Sequence, residues 1–319
     1  MKLRTLGKSD LHISPIGLGC WQFSKGNGFV GKFWSVLKDD TIKEIVQASL
    51  DGGINWFDTA EVYGWGESET ALTSALTSLR KDGIIATKWW PAFRTAGSIS
   101  HVIEEQIKRL NHIDLYQVHQ PFGFSSVEKE MDAMARLVEK KKIRYIGVSN
   151  FNANRMRRAD KQLRTHGLAL VSNQVRYNLI DRKIESNGVL DTANELGVTI
   201  IAYSPLEQGI LTGRFHDNPG EVQRLSGFRK YLPIFKSKGL KRIRPLINVL
   251  KDAAQKHNVL PAQVALTWII SNEAVVAIPG ASSSTQAAKN AVSMDIKLSE
   301  DEMKLIDETS KRCMNEDIH

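Results

Sequence analysis

The chain has 319 residues, of which 42% are hydrophobic and 24% are charged, and its formal net charge is +8. This length fits two average domains or one α/β barrel, and the composition is ordinary for a globular protein, so extensive disorder is not expected. The positive charge is scattered rather than arranged in a stripe, which argues against nucleic-acid binding. Cys20 and Cys313 lie far apart without metal-ligand spacing, so neither a disulfide framework nor a zinc site is indicated, and we expect no metal.

The amino terminus carries no apolar segment of signal-peptide length, and no stretch approaches the roughly 18 apolar residues of a membrane-spanning helix. We therefore expect a cytoplasmic protein with neither a membrane nor a nucleic acid as its partner. No pattern in the sequence fixes an oligomeric state.

The elements predicted in chain order begin with a hairpin whose turn is 7–10. Leucines flank this turn, and we expect the hairpin to cover the amino-terminal face of a barrel. Short apolar runs and segments with helical spacing then alternate along the chain. The predicted strands are 16–19, 54–57, 84–87, 115–118, 145–148, 171–174, 199–203 and 274–278. The predicted helices are 40–50, 68–79, 98–110, 125–139, 154–163, 184–196, 245–256 and 261–270.

Eight short strands separated by helices favour an α/β fold closed into a TIM (β/α)8 barrel over an open sheet. About seventy residues separate the last two strands, and 208–239 within them is rich in Gly, Pro and basic residues, which predicts a long mobile loop after the seventh strand. An extra C-terminal helix is predicted at 298–312 on the outside, followed by a polar tail at 314–319. No linker interrupts the pattern, so we expect residues 1–319 to form a single barrel domain.

Four polar residues lie at or just past the carboxyl ends of three successive predicted strands. They are Asp58 and Tyr63 after the second strand, Lys88 after the third and His119 after the fourth. Chemistry in a parallel barrel collects in the loops at this end, so we expect the four side chains to converge on one mouth. Each residue alone has a simpler explanation as a structural or surface residue, but four such coincidences favour a site.

These four residue types suit the protonation of a developing alkoxide. The Tyr63 phenol can act as the acid if its pKa, about 10 in water, is pulled towards the operating pH. An ammonium about 4 Å away is worth up to about three pKa units at an effective dielectric constant near 20, so Lys88 is the expected cause, while burial opposes it. Asp58 would hold Lys88 charged, and His119 could hydrogen-bond a substrate carbonyl oxygen.

One motif suggests a different kind of site. Residues 26–31 spell the dinucleotide-binding pattern G-x-G-x-x-G, and Asp51 follows about twenty residues later. That pattern works in a tight turn that joins a strand directly to a helix, whereas here several residues intervene. We therefore assign no Rossmann site to this motif.

The sequence resembles the aldo-keto reductase superfamily over about residues 3–305. Residues 53–64 look like the first signature of that family, and residues 142–151 look like the second. The series continues in the expected order with Gln174, residues 203–206 and residues 278–282. The resemblance implies a TIM barrel that reduces carbonyls with a nicotinamide cofactor. It also implies a catalytic tetrad made of Asp58, Tyr63, Lys88 and His119.

The resemblance further implies where the cofactor binds. Residues after the fifth and sixth strands would hold the nicotinamide carboxamide, Tyr203 would stack on its ring, and 204–214 would follow the pyrophosphate. The segment 280–290 would receive the adenosine end, since free N–H groups at a helix start near Ser283 favour a phosphate. The implied cofactor-binding residues are Trp21, Asp58, Ser149, Asn150, Gln174, Tyr203, Ser204, Leu206, Arg214, Gly280, Ser282, Gln286 and Asn290.

One segment departs from the best-known pattern of that family, which places a lysine after the Ile-Pro pair and an arginine six residues further on. Here these positions are Gly280 and Gln286, which resembles the branch of bacterial reductases and potassium-channel β subunits. Lys289 adds a charge nearby, but no arginine clamp is present for a 2′-phosphate. We expect NADPH to be preferred, with NADH possible.

The leading hypothesis is an NADPH-dependent oxidoreductase that reduces aldehyde or ketone carbonyls to alcohols, with Tyr63 as general acid. An aromatic substrate pocket could form from loop residues near the mouth, although some of these could equally belong to the core. They are Trp21, Trp65, Trp89, Trp90 and Phe122. The alternatives are a cofactor-binding regulatory subunit with slow or vestigial reductase activity and a cofactor-free barrel enzyme.

Overall fold

The computed structural model of the protein describes residues 2–225 and 227–314. Of the polar tail predicted at 314–319, everything after Met314 lies outside the described residues. The chain begins with an antiparallel hairpin formed by β1 (Arg4–Thr5) and β2 (His12–Ile13).

The hairpin closes the amino-terminal face of the barrel. Leu6 and Leu11 are buried against inward-facing side chains of the barrel strands, including that of Trp56. The backbone N–H of Gly7 donates to the hydroxyl of Thr199, at the start of a barrel strand, over 2.7 Å. The predicted cap is confirmed.

Eight parallel strands form a closed barrel in which each strand pairs with the next one along the chain. Bridges from Ile16 to Ala277 and from Gly19 to Gly280 join the first strand to the last. The strands are β3 (Leu18–Gly19), β4 (Trp56–Asp58), β5 (Ile84–Trp89), β6 (Leu115–Val118), β7 (Tyr145–Ser149), β8 (Leu170–Arg176), β9 (Thr199–Tyr203) and β10 (Val275–Ala277). Every predicted strand overlaps one of these, and the predicted TIM barrel is confirmed.

Helices surround the strands and pack their apolar faces on the barrel. In the described part of the chain they are α1 (Gly28–Gly31), α2 (Asp39–Asp51), α3 (Glu67–Leu79), α4 (Ile99–Leu110), α5 (Val127–Glu139), α6 (Ala153–Arg164), α7 (Val189–Leu196), α8 (Arg214–Asp217), α9 (Ser237–Lys256), α10 (Pro261–Ile270), α11 (Ser284–Val292) and α12 (Glu300–Cys313). In α4, Ile99, Ile103 and Leu110 are buried at helical spacing, which is the pattern that predicted this helix. The predicted C-terminal helix is present as α12 and packs against α9.

The helix predicted at 184–196 is wrong in its first half. Residues Lys183–Glu185 form a 3-10 turn, and α7 begins only at Val189. Gly188 precedes it with a φ of 79°, a left-handed conformation that interrupts a right-handed helix.

The long segment predicted as a mobile loop at 208–239 does follow β9, but it is folded into short helical turns. Besides α8, the turns cover 207–212, 219–224, 227–231 and 233–235. Helix α9 begins at Ser237 rather than at the predicted 245, so Pro245 lies inside it. Leu240 and Ile243 are buried on the same face as Ile247, and this burial outweighs the cost of about 3 kcal/mol that an internal proline carries.

None of the helices within residues 2–225 and 227–314 combines the length and the apolar character needed to span a bilayer.

Candidate active site

The carboxyl ends of the barrel strands surround a cavity of about 920 Å³. Asp58 is the last residue of β4, and Tyr63 lies in the turn that follows. Lys88 is the second-last residue of β5, and His119 directly follows β6. The cavity is lined by Asp58, Tyr63 and His119, while Lys88 lies beneath it without solvent exposure. The structure therefore brings all four side chains to one mouth of the barrel.

A buried ion pair forms the floor of this site. The Nζ of Lys88 donates to Oδ1 of Asp58 over 2.6 Å and to the carbonyl oxygen of Thr59 over 2.8 Å. The Oδ2 of Asp58 accepts from the side-chain amides of Gln117 (3.1 Å) and Gln174 (2.8 Å). Burial lowers the pKa of Lys88, but the charge of Asp58 and a neighbouring phenol together raise it by more than burial lowers it. The net pKa of Lys88 therefore lies above its ordinary value. The ammonium therefore stays charged at neutral pH.

The neighbouring phenol is Tyr63, whose ring centroid lies 5.0 Å from the Nζ of Lys88. Burial raises the pKa of Tyr63, and the charge of Lys88 lowers it by less, so the net pKa lies above its usual value. The expectation that Lys88 would bring this pKa towards neutrality is wrong, because desolvation of the phenolate outweighs its attraction to the ammonium. Tyr63 therefore holds its proton throughout the neutral range.

His119 is buried and neutral. Burial, helped by the charge of Lys88, holds the pKa of His119 well below its usual value. The imidazole meets the rings of Tyr63 and Trp90 edge-on, with centroids 5.7 and 5.1 Å apart. Its Nδ1 is buried without a hydrogen-bond partner among the described residues. A neutral imidazole in this position can donate one N–H to an oxygen that enters the cavity.

Aromatic side chains wall the cavity beside Tyr63. Trp21 stacks on Tyr63 with ring centroids 5.8 Å apart, and it also contacts the rings of Phe33 and Trp34. The sequence analysis missed Phe33 and Trp34, although two adjacent aromatic residues in a loop beyond a barrel strand are a usable signal. The rings of Trp21, Trp34 and Trp90 line the cavity and give it an apolar surface near the phenol.

The predicted aromatic pocket is only partly correct. Trp21 and Trp90 line the cavity, and Phe122 packs edge-on against Trp90. Trp89 is fully buried and donates its indole N–H to Ser98, so it belongs to the core. Trp65 is exposed and lies off the cavity wall.

The residues implied for cofactor binding all line this one cavity, namely Trp21, Asp58, Ser149, Asn150, Gln174, Tyr203, Ser204, Leu206, Arg214, Gly280, Ser282, Gln286 and Asn290. Several form a polar network: Ser149 Oγ donates to the carbonyl of Gln174 (2.9 Å), and Asn150 Nδ2 donates to Ser149 Oγ (3.1 Å). The Tyr203 hydroxyl donates to Asn150 Oδ1 over 3.0 Å. The side-chain amide of Gln174 is held by Asp58.

The start of α11 forms another part of the cavity wall. Ser283 caps the helix by accepting from the N–H of Gln286, and Gln286 Oε1 accepts from the N–H and the hydroxyl of Ser282 at 2.9 and 3.0 Å. A Cβ added at Gly280 would lie 2.0 Å from the side-chain amide nitrogen of Gln22, so the flexible end of Gln22 would have to move to admit it. The glycine that departs from the best-known family pattern is thus matched by a glutamine side chain that occupies its space.

Residues 26–31 do not form a dinucleotide-binding turn. A 3-10 turn at Trp21–Phe23 precedes α1, which is itself a single turn, so no strand leads directly into a helix here. A Rossmann dinucleotide site requires such a direct strand-to-helix turn, so this segment does not form one.

A protonated phenol beside a fixed positive charge suits an enzyme that protonates a substrate oxygen, and the cavity can hold a dinucleotide with a substrate. The arrangement lies at the carboxyl ends of the strands, where parallel-barrel enzymes carry their active sites, so the fold and the site indicate a barrel enzyme. Residues 15–311 match the model of the Aldo/keto reductase family, and the chain belongs to that family. It is an NAD(P)H-dependent enzyme.

Similar proteins match this chain over nearly its whole length. An uncharacterised oxidoreductase of Mycobacterium tuberculosis is 38% identical over 289 residues, which cover 90% of this chain and 86% of the relative. L-glyceraldehyde 3-phosphate reductase of Escherichia coli strain K12 is 28% identical, with 91% and 86% covered. The crystal structure of an aldo-keto reductase from Klebsiella pneumoniae in complex with NADPH superposes with a TM-score of 0.75 at 25% identity, over 100% of this chain and 97% of that one.

Proposed function

We propose that this enzyme reduces aldehyde carbonyls to alcohols with NADPH, and that Tyr63 is the general acid. The observation that carries the proposal is the position of the protonated Tyr63 phenol, beside the charged Lys88 and at the wall of a cavity large enough for cofactor and substrate. Ketones are a secondary substrate class of the same chemistry.

The residues present fit a nicotinamide dinucleotide. The hydroxyls and amides of Ser149 and Asn150 lie on the cavity wall near the Tyr203 ring, where a carboxamide and a planar ring find partners. The start of α11 offers unpaired N–H groups to a phosphate at another part of the same wall. Bound NADPH would supply the hydride that reduces the carbonyl carbon.

Each of the four polar residues has its own role in the proton transfer. As the carbonyl oxygen becomes an alkoxide, Tyr63 gives it the phenolic proton, since an alkoxide binds a proton more tightly than a phenolate does. Lys88 stabilises the phenolate that remains, and Asp58 keeps Lys88 charged. His119 donates an N–H to the same carbonyl oxygen and orients it, and solvent later returns a proton to Tyr63.

Two observations support the choice of cofactor, and two others support the choice of substrate. The relative from Klebsiella pneumoniae is in complex with NADPH, and Arg214 and Lys289 supply positive charge to the cavity wall. The relative from Escherichia coli is named for the reduction of an aldehyde. The rings of Trp21, Trp34 and Trp90 suit an aldehyde whose substituent is apolar or aromatic.

Steady-state kinetics with NADPH and with NADH across aldehydes, ketones and sugars, repeated for Tyr63→Phe, tests the proposal. We expect Tyr63→Phe to reduce the turnover number by about 10²- to 10⁴-fold, the usual contribution of a general acid, while NADPH affinity is retained. Tyr116→Phe is the matched control, because Tyr116 is buried in β6 and donates to Gln106 away from the cavity.

Equal turnover by Tyr63→Phe and the wild type would contradict the role of Tyr63. Tight NADPH binding without turnover on any aldehyde or ketone would contradict the reductase itself and favour a regulatory subunit.

A further inference from the structure

A buried carboxylate lies between Asp58 and Tyr63 in the loop that follows β4. Glu61 is only 9% exposed, and its Oε1 accepts from the backbone N–H of Trp90 over 2.7 Å and from Nη1 of Arg94 over 2.5 Å. Burial raises the pKa of Glu61, and the charge of Arg94 offsets part of this effect. Neither Glu61 nor Arg94 lines the cavity itself, so their ion pair acts on the site only through other residues.

Arg94 connects three loops at the mouth of the barrel. Besides Glu61 in the loop after β4, its Nη1 donates to the carbonyl oxygen of Trp90 over 3.2 Å, within the loop after β5. The carbonyl oxygen of Arg94 accepts from the N–H of Phe124 over 2.9 Å, in the loop after β6 that begins with His119. The main chain of Trp90 is thus held at both its N–H and its carbonyl group.

The indole of Trp90 is the part of this segment that lines the cavity. It meets the imidazole of His119 edge-on at a centroid distance of 5.1 Å, and the ring of Phe122 edge-on at 5.6 Å. In the proposed reaction the carbonyl oxygen lies at Tyr63 and His119, so Trp90 is the neighbouring ring that a substituent on the carbonyl carbon can contact. The position of this indole therefore bears on which substituents bind.

We propose that Glu61 and Arg94 are positioning residues for substrate specificity, because they hold the indole of Trp90 where it packs on the flat substituent of an aromatic aldehyde. The substrate class rests on the proposed function, whereas the positioning of the indole does not. Buried ion pairs add little net stability, since the cost of desolvation offsets their attraction, but they can fix geometry. An indole that occupies its binding position for only a fraction of the time weakens the affinity for an aromatic substituent by that fraction.

The test compares Glu61→Ala with the wild type on benzaldehyde and acetaldehyde, whose methyl group has little apolar surface to bury on Trp90. We expect selectivity, the ratio of kcat/KM for benzaldehyde to kcat/KM for acetaldehyde, to fall by about tenfold or more, the effect of losing one hydrogen bond to a charged group. The change should lie in KM rather than kcat, because the contact with the substituent is the same before and during the reaction. Glu185→Ala is the matched control and should keep the wild-type selectivity, since Glu185 pairs with an arginine that lies over Trp268 outside the cavity.

A double-mutant cycle separates the position of the indole from a general effect on the fold. Trp90→Ala removes the indole but keeps the N–H and the carbonyl group that Glu61 and Arg94 hold. If Glu61 acts through this ring, Glu61→Ala should have no further effect on selectivity in the Trp90→Ala background. An equal loss of selectivity in both backgrounds would overturn the inference.

Fluorine NMR of protein labelled with 5-fluorotryptophan gives a readout that does not need turnover. The signals of Trp90 and Trp268 are assigned by their absence from Trp90→Phe and Trp268→Phe. Glu61→Ala should shift or broaden the signal of Trp90 but not that of Trp268, and Glu185→Ala should do the reverse. If the wild type reduces no aldehyde, the proposed function fails, whereas this pattern of signals still supports the positioning of Trp90; an unchanged Trp90 signal in folded Glu61→Ala overturns it.

Arg94→Met serves if Glu61→Ala does not fold, because the side chain of Arg94 is 35% exposed and its loss disturbs the core less. It removes the hydrogen bonds to Glu61 and to the carbonyl oxygen of Trp90, so it should lower selectivity and alter the Trp90 signal in the same way. A folded Arg94→Met protein with the selectivity and the Trp90 signal of the wild type would refute the proposal.

Discussion

Glu130 is expected to make the stability of this protein fall as the pH rises through neutrality. It lies on α5 and is buried, with its Oε1 facing Gly123 in the loop that follows His119. Burial raises the pKa of Glu130 to about 7, and the charge of Arg155 offsets only part of this effect. Glu130→Gln keeps the shape of the protonated side chain and removes its titration.

The size of the effect follows from the difference between the folded and unfolded pKa values. The rise from 4.5 to about 7 corresponds to 7 − 4.5, or about 2.5 units, and at about 1.36 kcal/mol per unit this equals about 3 kcal/mol. Because the folded pKa is the higher one, this stability is fully present below about pH 4.5 and is lost as the pH rises through about 7. Glu130→Gln lacks this loss, so it should become more stable relative to the wild type as the pH rises, by about 2.5 kcal/mol between pH 5 and 8.

Denaturant unfolding of both proteins at intervals from pH 5 to 8 measures this difference. Glu128→Gln on the same helix is the control, because a hydrogen bond from Arg158 lowers the pKa of Glu128 to about 2. The contribution of Glu128 is lost only as the pH falls towards that value, so its variant should keep the wild-type slope between pH 5 and 8. Parallel stability curves for Glu130→Gln and the wild type would refute the reasoning.

Two further changes test the floor and the wall of the site. Lys88→Met leaves the buried Asp58 without its cation, so the free energy of unfolding measured in urea should fall by about 3–5 kcal/mol and carbonyl reduction should slow. Adding Asp58→Asn to this variant should restore part of the stability but not the turnover. A Lys88→Met protein as stable as the wild type would contradict this reasoning. Gly280→Ala only has to displace the flexible end of the half-buried Gln22 side chain, so its cost should stay below about 1 kcal/mol, under the usual penalty for overpacking a core; a larger fall in the free energy of unfolding in urea would contradict this.

The sequence predicted most of the barrel because its elements are encoded locally. Helix α4 lies within one residue of its predicted bounds, since its buried residues repeat with helical spacing over three turns. The errors arose where distant contacts decide the structure. Pro245 marked a helix start by its local preference, yet the buried face of α9 carries the helix back to Ser237.

The same distinction applies to the site. The positions of Asp58, Tyr63, Lys88 and His119 could be predicted because each lies at or just past the end of a recognisable strand, and a barrel brings strand ends together. The contact between Trp34 and Arg229 could not, because it joins two irregular segments far apart in the sequence and leaves no periodic pattern in either.

The pKa of Tyr63 shows why a correct list of residues does not give their chemistry. The charge of Lys88 could be anticipated from its strand, but the desolvation of the phenol depends on rings from other segments, among them Trp21 and His119. Because desolvation is the larger effect, the proton stays on Tyr63 until a stronger base reaches it. An alkoxide formed in the cavity is such a base, whereas bulk water at neutral pH is not. In the proposed reaction, the site would therefore favour release of the proton to the reacting oxygen over its loss to solvent.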